Sequence, residues 1–142
     1  MAKKNGKPDQ AGGVAFRRSD KKGLRICLIH KPNTDTWVIP KGFIDPGDTA
    51  KGTVLKEARE EAGLRGEIVG DRLGTYTYRK WGGRYTVAMY LMEVTRQDDE
   101  WDEMDYRERH WLSPDKALRR LEDHPARDLF EEAIDLLSAE EE

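Results

Sequence analysis

The run RYTVAMYLMEV, residues 84–94, is apolar on both faces of an extended strand, so both faces require cover. Such a strand belongs in the middle of a sheet, with other elements packed above and below it. The remaining segments supply neighbours in a definite order. GGVAFRR and LRICLIHK read as strands around the turn SDKKG, and a short WVIP follows the polar turn PNTDT. EIVGDRLGTYTYR enters the central strand through KWGG, whose glycines suit the positive φ angles of a hairpin turn. One helix is inserted among the strands, from about Ala50 to Ala62, with Thr49 as its N-cap and Gly63 just beyond its end. RERHWL is a further short strand, and Ser113 followed by Pro114 opens a helix. A last helix after Pro125 carries Leu129, Phe130, Ala133, Ile134 and Leu137 on one face. The expected class is α/β, a mixed sheet with helices packed on it.

With 142 residues, 37% apolar and 37% charged, the chain has the core of one domain. We expect a polar lead-in over residues 1–11, the domain over 12–138 and an acidic tail over 139–142. No apolar run approaches the roughly 20 residues of a membrane span. The opening MAKKNGKPDQAGG lacks an apolar segment, so a signal peptide is not expected and the cytoplasm is. Cys27, the sole cysteine, lies among Leu24, Ile26, Leu28 and Ile29 and reads as a buried, inert thiol without a disulfide partner. A net charge of −3 gives no bulk attraction to nucleic acid, but the charges are segregated. Bases predominate up to Lys31, and acids gather at 57–61, at 98–105 and at the end.

The stretch KGFIDPGDTAKGTVLKEAREEAGL carries the chemistry. On a helix Glu57, Glu60 and Glu61 stand at i, i+3 and i+4, so three like charges crowd one side. Either water and the neighbouring Lys56 and Arg59 solvate that face, or a divalent cation relieves it. Hard oxygen ligands favour Mg2+ or Mn2+ over zinc. The glycine-rich loop ahead of the helix distinguishes these readings. Gly42, Glu57, Ala58, Glu60, Glu61, Gly63 and Leu64 stand at the offsets of G-x5-E-x7-R-E-U-x-E-E-x-G-U, where U is apolar. The stretch resembles the signature box of the Nudix hydrolases. Asp48 replaces the pattern's first Glu and Lys56 its Arg, so a planar guanidinium fork becomes a point charge.

The likeness extends from Gly12 to about Ala133. TWVIPKGFIDPGD, EEAGLRGEIVGDRLGTYTYR and RHWLSPDKAL are similar to the branch containing diphosphoinositol polyphosphate and diadenosine polyphosphate phosphohydrolases. The resemblance implies an α/β/α sandwich and hydrolysis of a pyrophosphate bond by water in a phosphate-rich small molecule. It implies Mg2+, with Mn2+ as the alternative, held by Glu57, Glu61 and the backbone carbonyl of Lys41. Glu60 is the implied general base, with Glu57 or a loop acid as the alternative. Arg17, Arg18, Lys41 and Arg84 are the expected phosphate-binding bases, ahead of Arg79 and Lys80.

Trp37 or Tyr76 could stack on a nucleobase, whereas Trp111 reads as core. His30, His110 and His124 lie far apart without ligand spacing and receive no role, beyond a helix-cap position for His124. Rival readings are a polyphosphate-binding module without turnover, an RNA 5′-end hydrolase, and a sugar-nucleotide or ADP-ribose hydrolase. Nucleic acid and membrane are not expected partners, and the chain is expected to be a monomer or homodimer.

Overall fold

The computed structural model describes residues 7–140. The elements are β1 (Gln10–Ser19), β2 (Gly23–His30), β3 (Trp37–Val38), β4 (Lys41–Phe43), α1 (Ala50–Ala62), β5 (Leu64–Lys80), β6 (Gly83–Gln97), β7 (Glu108–Leu112), α2 (Pro114–Arg120) and α3 (Arg127–Ala139). One mixed sheet has the order β3-β2-β1-β6-β5, with β4 paired to β1 and β7 to β2. β1 and β6 run parallel, from Gln10 opposite Val87 to Phe16 opposite Glu93. The other pairings are antiparallel.

β6 is central, as its two apolar faces require. Val87, Met89 and Leu91 join Phe16, Ile26 and Leu28 against Leu121, Phe130 and Leu137 on the α2/α3 side. Ala88 and Tyr90 meet Val54, and Met92 and Val94 meet Ala58 and Ala62, on the α1 side. Helices thus cover both faces, giving the layered α/β arrangement. Cys27 is buried in the α1-side cluster, where desolvation pushes its thiol up to about 12, far from reactivity.

Three details differ from the sequence reading. Gln10 and Ala11, expected in the lead-in, are strand residues only 3% and 0% exposed, because β4 and β6 flank them. In the KWGG turn the positive φ angles fall on Trp81 (53°) and Gly82 (74°), and Gly83 already belongs to β6. Trp111 is half-buried: its indole Nε1 donates to Gln97 Oε1 at 2.8 Å. Residues 1–6 of the expected lead-in and 141–142 of the expected tail lie outside the described residues. Among the described residues no helix is long and apolar enough to cross a membrane.

β1 changes partners partway along. Gln10 to Gly12 pair with β4, and Ala15 to Ser19 pair with β2. The sheet splits where the partner changes, and α1 packs over β1 and β4 at that split.

Candidate active site

Local chemistry sets the ends of α1. Thr49 Oγ1 accepts the Gly52 N–H at 3.0 Å, and Gly63 adopts φ 65° while donating its N–H to the Arg59 carbonyl at 2.9 Å. The left-handed Gly63 turns the chain straight into β5. The depth of the helix follows from small residues beneath it. A Cβ on Gly13 would lie 2.8 Å from Val54 Cγ1, so only glycine lets α1 approach β1 this closely. That approach leaves Glu61 only 4% exposed. Gly42 makes room one turn away, since any Cβ there would collide with the Glu57 carboxyl. The box glycine is therefore the space that a carboxylate occupies.

Four acids meet at this end of the molecule. Glu61 Oε2 accepts the Lys41 N–H at 3.2 Å, and its Oε1 lies 3.6 Å from Arg107 Nη1. Arg107 Nε donates to Glu103 Oε1 at 2.7 Å, and the Glu103 N–H donates to the Glu60 carbonyl at 3.2 Å. The acidic loop after β6 is thereby pinned to α1. Burial pushes Glu61 up to about 9, reinforced by the hydrogen bond it shares with Glu57, while Arg107 opposes the shift. Burial also raises Glu57, although its bond to Glu61 and the Lys56 charge act the other way. Lys56 itself turns to Asp45, with Nζ 3.4 Å from Oδ2. Without a cation the pair Glu57–Glu61 is most stable sharing a proton. A set of carboxylate oxygens with that deficit of positive charge fits a hard divalent ion.

Of the predicted residues, Lys41, Glu57, Glu60 and Glu61 come together. Side chains of β4 alternate, so Gly42 faces Glu57 while Lys41 and Phe43 leave on the other side. There Lys41 Nζ donates to Tyr78 Oη at 3.2 Å, and Tyr78 donates to Gln10 Oε1 at 2.8 Å. Arg84 is exposed in the β5–β6 hairpin, opposite Arg79. Arg17 and Arg18 are not brought to the carboxylates. Gly12 pairs with Lys41, and Arg17 lies five residues further along β1, about 17 Å of strand. Its guanidinium stacks 4.1 Å from the Trp111 ring centroid, because Trp111 is the aromatic face within its reach. Arg18 donates to the Leu137 carbonyl at 2.9 Å and pairs with Glu140, serving the C-terminus of α3.

The aromatic candidates change in the same way. Tyr76 is 7% exposed, and Trp37 packs against His30 and His110. On the Lys41 side of β4, Phe43 and Trp81 are exposed rings, with Tyr85 between them at centroid distances of 5.6 and 6.4 Å. Sequence reasoning missed this row, and it missed Glu103 and Arg107. Phe43 had a signal, an aromatic residue beside the box glycine. Glu103 had only its membership of an acidic stretch.

The fold is that of one family. The NUDIX domain family matches residues 7–133, and the chain belongs to it. Nudix hydrolase 13, mitochondrial, from Arabidopsis thaliana is 33% identical over 105 residues, 67% of this chain and 52% of that protein. An 8-oxo-(d)GTP phosphatase from Mycolicibacterium smegmatis is 31% identical over 124 residues, 79% of this chain and 37% of that protein. The human diphosphoinositol polyphosphate phosphohydrolase 3-alpha is 25% identical over 109 residues, 75% of this chain and 65% of that protein. The chain spans about half the length of the first of these relatives and less of the second. Among solved structures, the binary complex of a C. elegans Ap4A hydrolase superposes with a TM-score of 0.78 at 22% identity. That match covers 94% of this chain and 99% of the other, and it shows the shared fold.

Proposed function

We propose that this chain hydrolyses a pyrophosphate bond in a phosphate-rich small molecule, with Mg2+ as the preferred cation and Mn2+ as the alternative. The observation that carries this reading is Glu61, an acid buried against Glu57 and Glu103 and short of positive charge. Glu57, Glu61 and the Lys41 carbonyl would hold the cation, with Glu103 as a further oxygen donor. When bound, a divalent cation neutralises phosphate charge and lowers the barrier to attack by water on phosphorus. Glu60, on the solvent side of the helix, takes the proton of the attacking water. Arg107 keeps Glu61 and Glu103 oriented by bridging them. Lys41 Nζ, Arg84 and Lys80 supply positive charge to the phosphates that do not react.

Diadenosine polyphosphate is the favoured substrate. β4 has acids on one side and a lysine with exposed aromatic rings on the other, which suits a polyphosphate chain ending in a base. Phe43, Tyr85 and Trp81 offer the π-faces. Diphosphoinositol polyphosphate is the second reading, favoured by Arg79, Lys80 and Arg84 in one hairpin. The cytoplasmic location also stays a proposal, since the Arabidopsis relative is named mitochondrial.

The test is product release with Mg2+ across diadenosine polyphosphates, inositol pyrophosphates, nucleoside triphosphates and ADP-ribose. Base stacking is worth about 1–3 kcal/mol, so Phe43→Ala with Tyr85→Ala is expected to raise KM for the diadenosine substrate roughly 10- to 100-fold. An unchanged KM, with turnover of inositol pyrophosphate, would select the second reading. Glu60→Gln is expected to lower kcat by about 10²- to 10⁴-fold.

A further inference from the structure

The three histidines have no spacing in sequence, yet two of them meet across the sheet. β7 sends alternate side chains to opposite faces. Arg109 turns toward α1, where its Nη1 donates to the Ala62 and Asp98 carbonyls, both at 2.9 Å. Glu108 and His110 therefore face the other way, as does Leu112, which packs in the α2/α3-side core. Antiparallel pairing sets His30, at the end of β2, opposite Glu108. One nitrogen of each imidazole and a Glu108 oxygen all lie within 4.8 Å of one another.

The hydrogen bonding leaves this group short of one positive charge. His30 Nε2 lies 2.6 Å from the Thr34 carbonyl, which can only accept, so Nε2 carries the proton. In the neutral ring Nδ1 then presents a lone pair, and it faces Glu108 Oε1 at 3.0 Å. His110 Nε2 points at the same oxygen from 3.3 Å. A neutral ring would set a lone pair against a carboxylate oxygen, so the contact requires either a second proton on His30, which the Glu108 bond favours, or a metal ion beside the pair that both atoms ligate. Tetrahedral zinc with bonds of about 2.0–2.1 Å keeps adjacent ligand atoms roughly 3.3 Å apart, close to both separations. A backbone carbonyl fixing the far nitrogen is also the usual support of a ligating histidine. Trp37 walls the site, its ring 4.7 Å from His30 and 5.1 Å from His110.

We propose that His30, Glu108 and His110 form a second cation site, on the opposite face of β7 from the α1 acids, that binds zinc. Two imidazoles and a carboxylate suit a borderline transition ion, whereas the all-oxygen set on α1 suits a hard one. Glu108 and His110 are half-exposed, which leaves the remaining coordination position to water. The ion would tie the end of β2 to β7, directly after Arg107, the residue that bridges Glu61 and Glu103.

The test titrates the metal-free full chain with Zn2+ against a chromogenic chelator, with Mg2+ in excess to occupy the α1 acids. One equivalent of zinc is expected to bind, and the imidazole nitrogen resonances of His30 and His110 are expected to shift with Zn2+ but not with Mg2+. His110→Ala and Glu108→Gln are each expected to weaken zinc by at least about tenfold. Both positions are exposed, and a thermal melt checks that each variant is folded. Glu61→Gln is expected to leave zinc affinity unchanged. Zinc affinity that follows Glu61→Gln and ignores His110→Ala would overturn the proposal, as would no zinc bound in the presence of Mg2+.

Discussion

The two faces of the sheet are built on different terms. Toward α2 and α3 it presents large side chains, Phe16, Leu28, Met89 and Leu91, against Phe130, Leu121 and Leu137. Toward α1 it sets small residues, Ala11, Gly13, Ala15 and Ala88, among larger ones such as Ile29, Tyr90 and Met92, and the helix that the small ones admit carries a buried acid. One face is packed for stability. On the other, packing holds carboxylates at a spacing that costs stability, which the proposed cation would relieve. Mutations on the two faces are therefore expected to have separable consequences.

The largest stability effect is expected from Phe130→Ala, which empties a site with no exposure. It should cost about 3–5 kcal/mol in urea unfolding while leaving activity per folded molecule unchanged. A loss of activity in the folded fraction would break the separation of the faces. On the α1 side, Gly42→Ala is expected to cost less stability, about 1–3 kcal/mol, because Glu57 can swing away from the added methyl. Its turnover should nevertheless fall at least tenfold, since the displaced carboxyl belongs to the proposed cation site. Retained turnover would show that Glu57 is not held where Gly42 puts it.

The same contrast explains what could be read from residue order. The span and caps of α1 were legible, because Thr49, Gly63 and the i, i+3, i+4 acids act within a few residues of one another. The central place of β6 was legible from its two apolar faces. The pairing of β1 with β2 was legible from the turn SDKKG between them, but its parallel pairing with β6 was not, since that joins residues more than 70 positions apart. Glu103 and Arg107 reach Glu61 across about 40 residues, and no local spacing marks such a meeting. Arg17 and Arg18 looked like ligands for phosphate because their partners, Trp111 and the end of α3, are equally remote in sequence. His30 and His110 were unreadable for the same reason.

The central claim is that Glu61 is an acid held for a cation, and the pH dependence of stability tests it most directly. Its folded value of about 9 lies above its ordinary 4.5, so between those limits the folded state binds more protons than the unfolded state. That stabilisation is complete at low pH and lost as pH rises toward 9. Melts of the metal-free chain between pH 5 and 9 should show Tm falling with pH. The fall should become much shallower in Glu61→Gln, where only the smaller contribution of buried Glu57 remains, and in the unmodified chain when Mg2+ takes the proton's place. Identical pH slopes for the chain and Glu61→Gln, unaffected by Mg2+, would contradict the account.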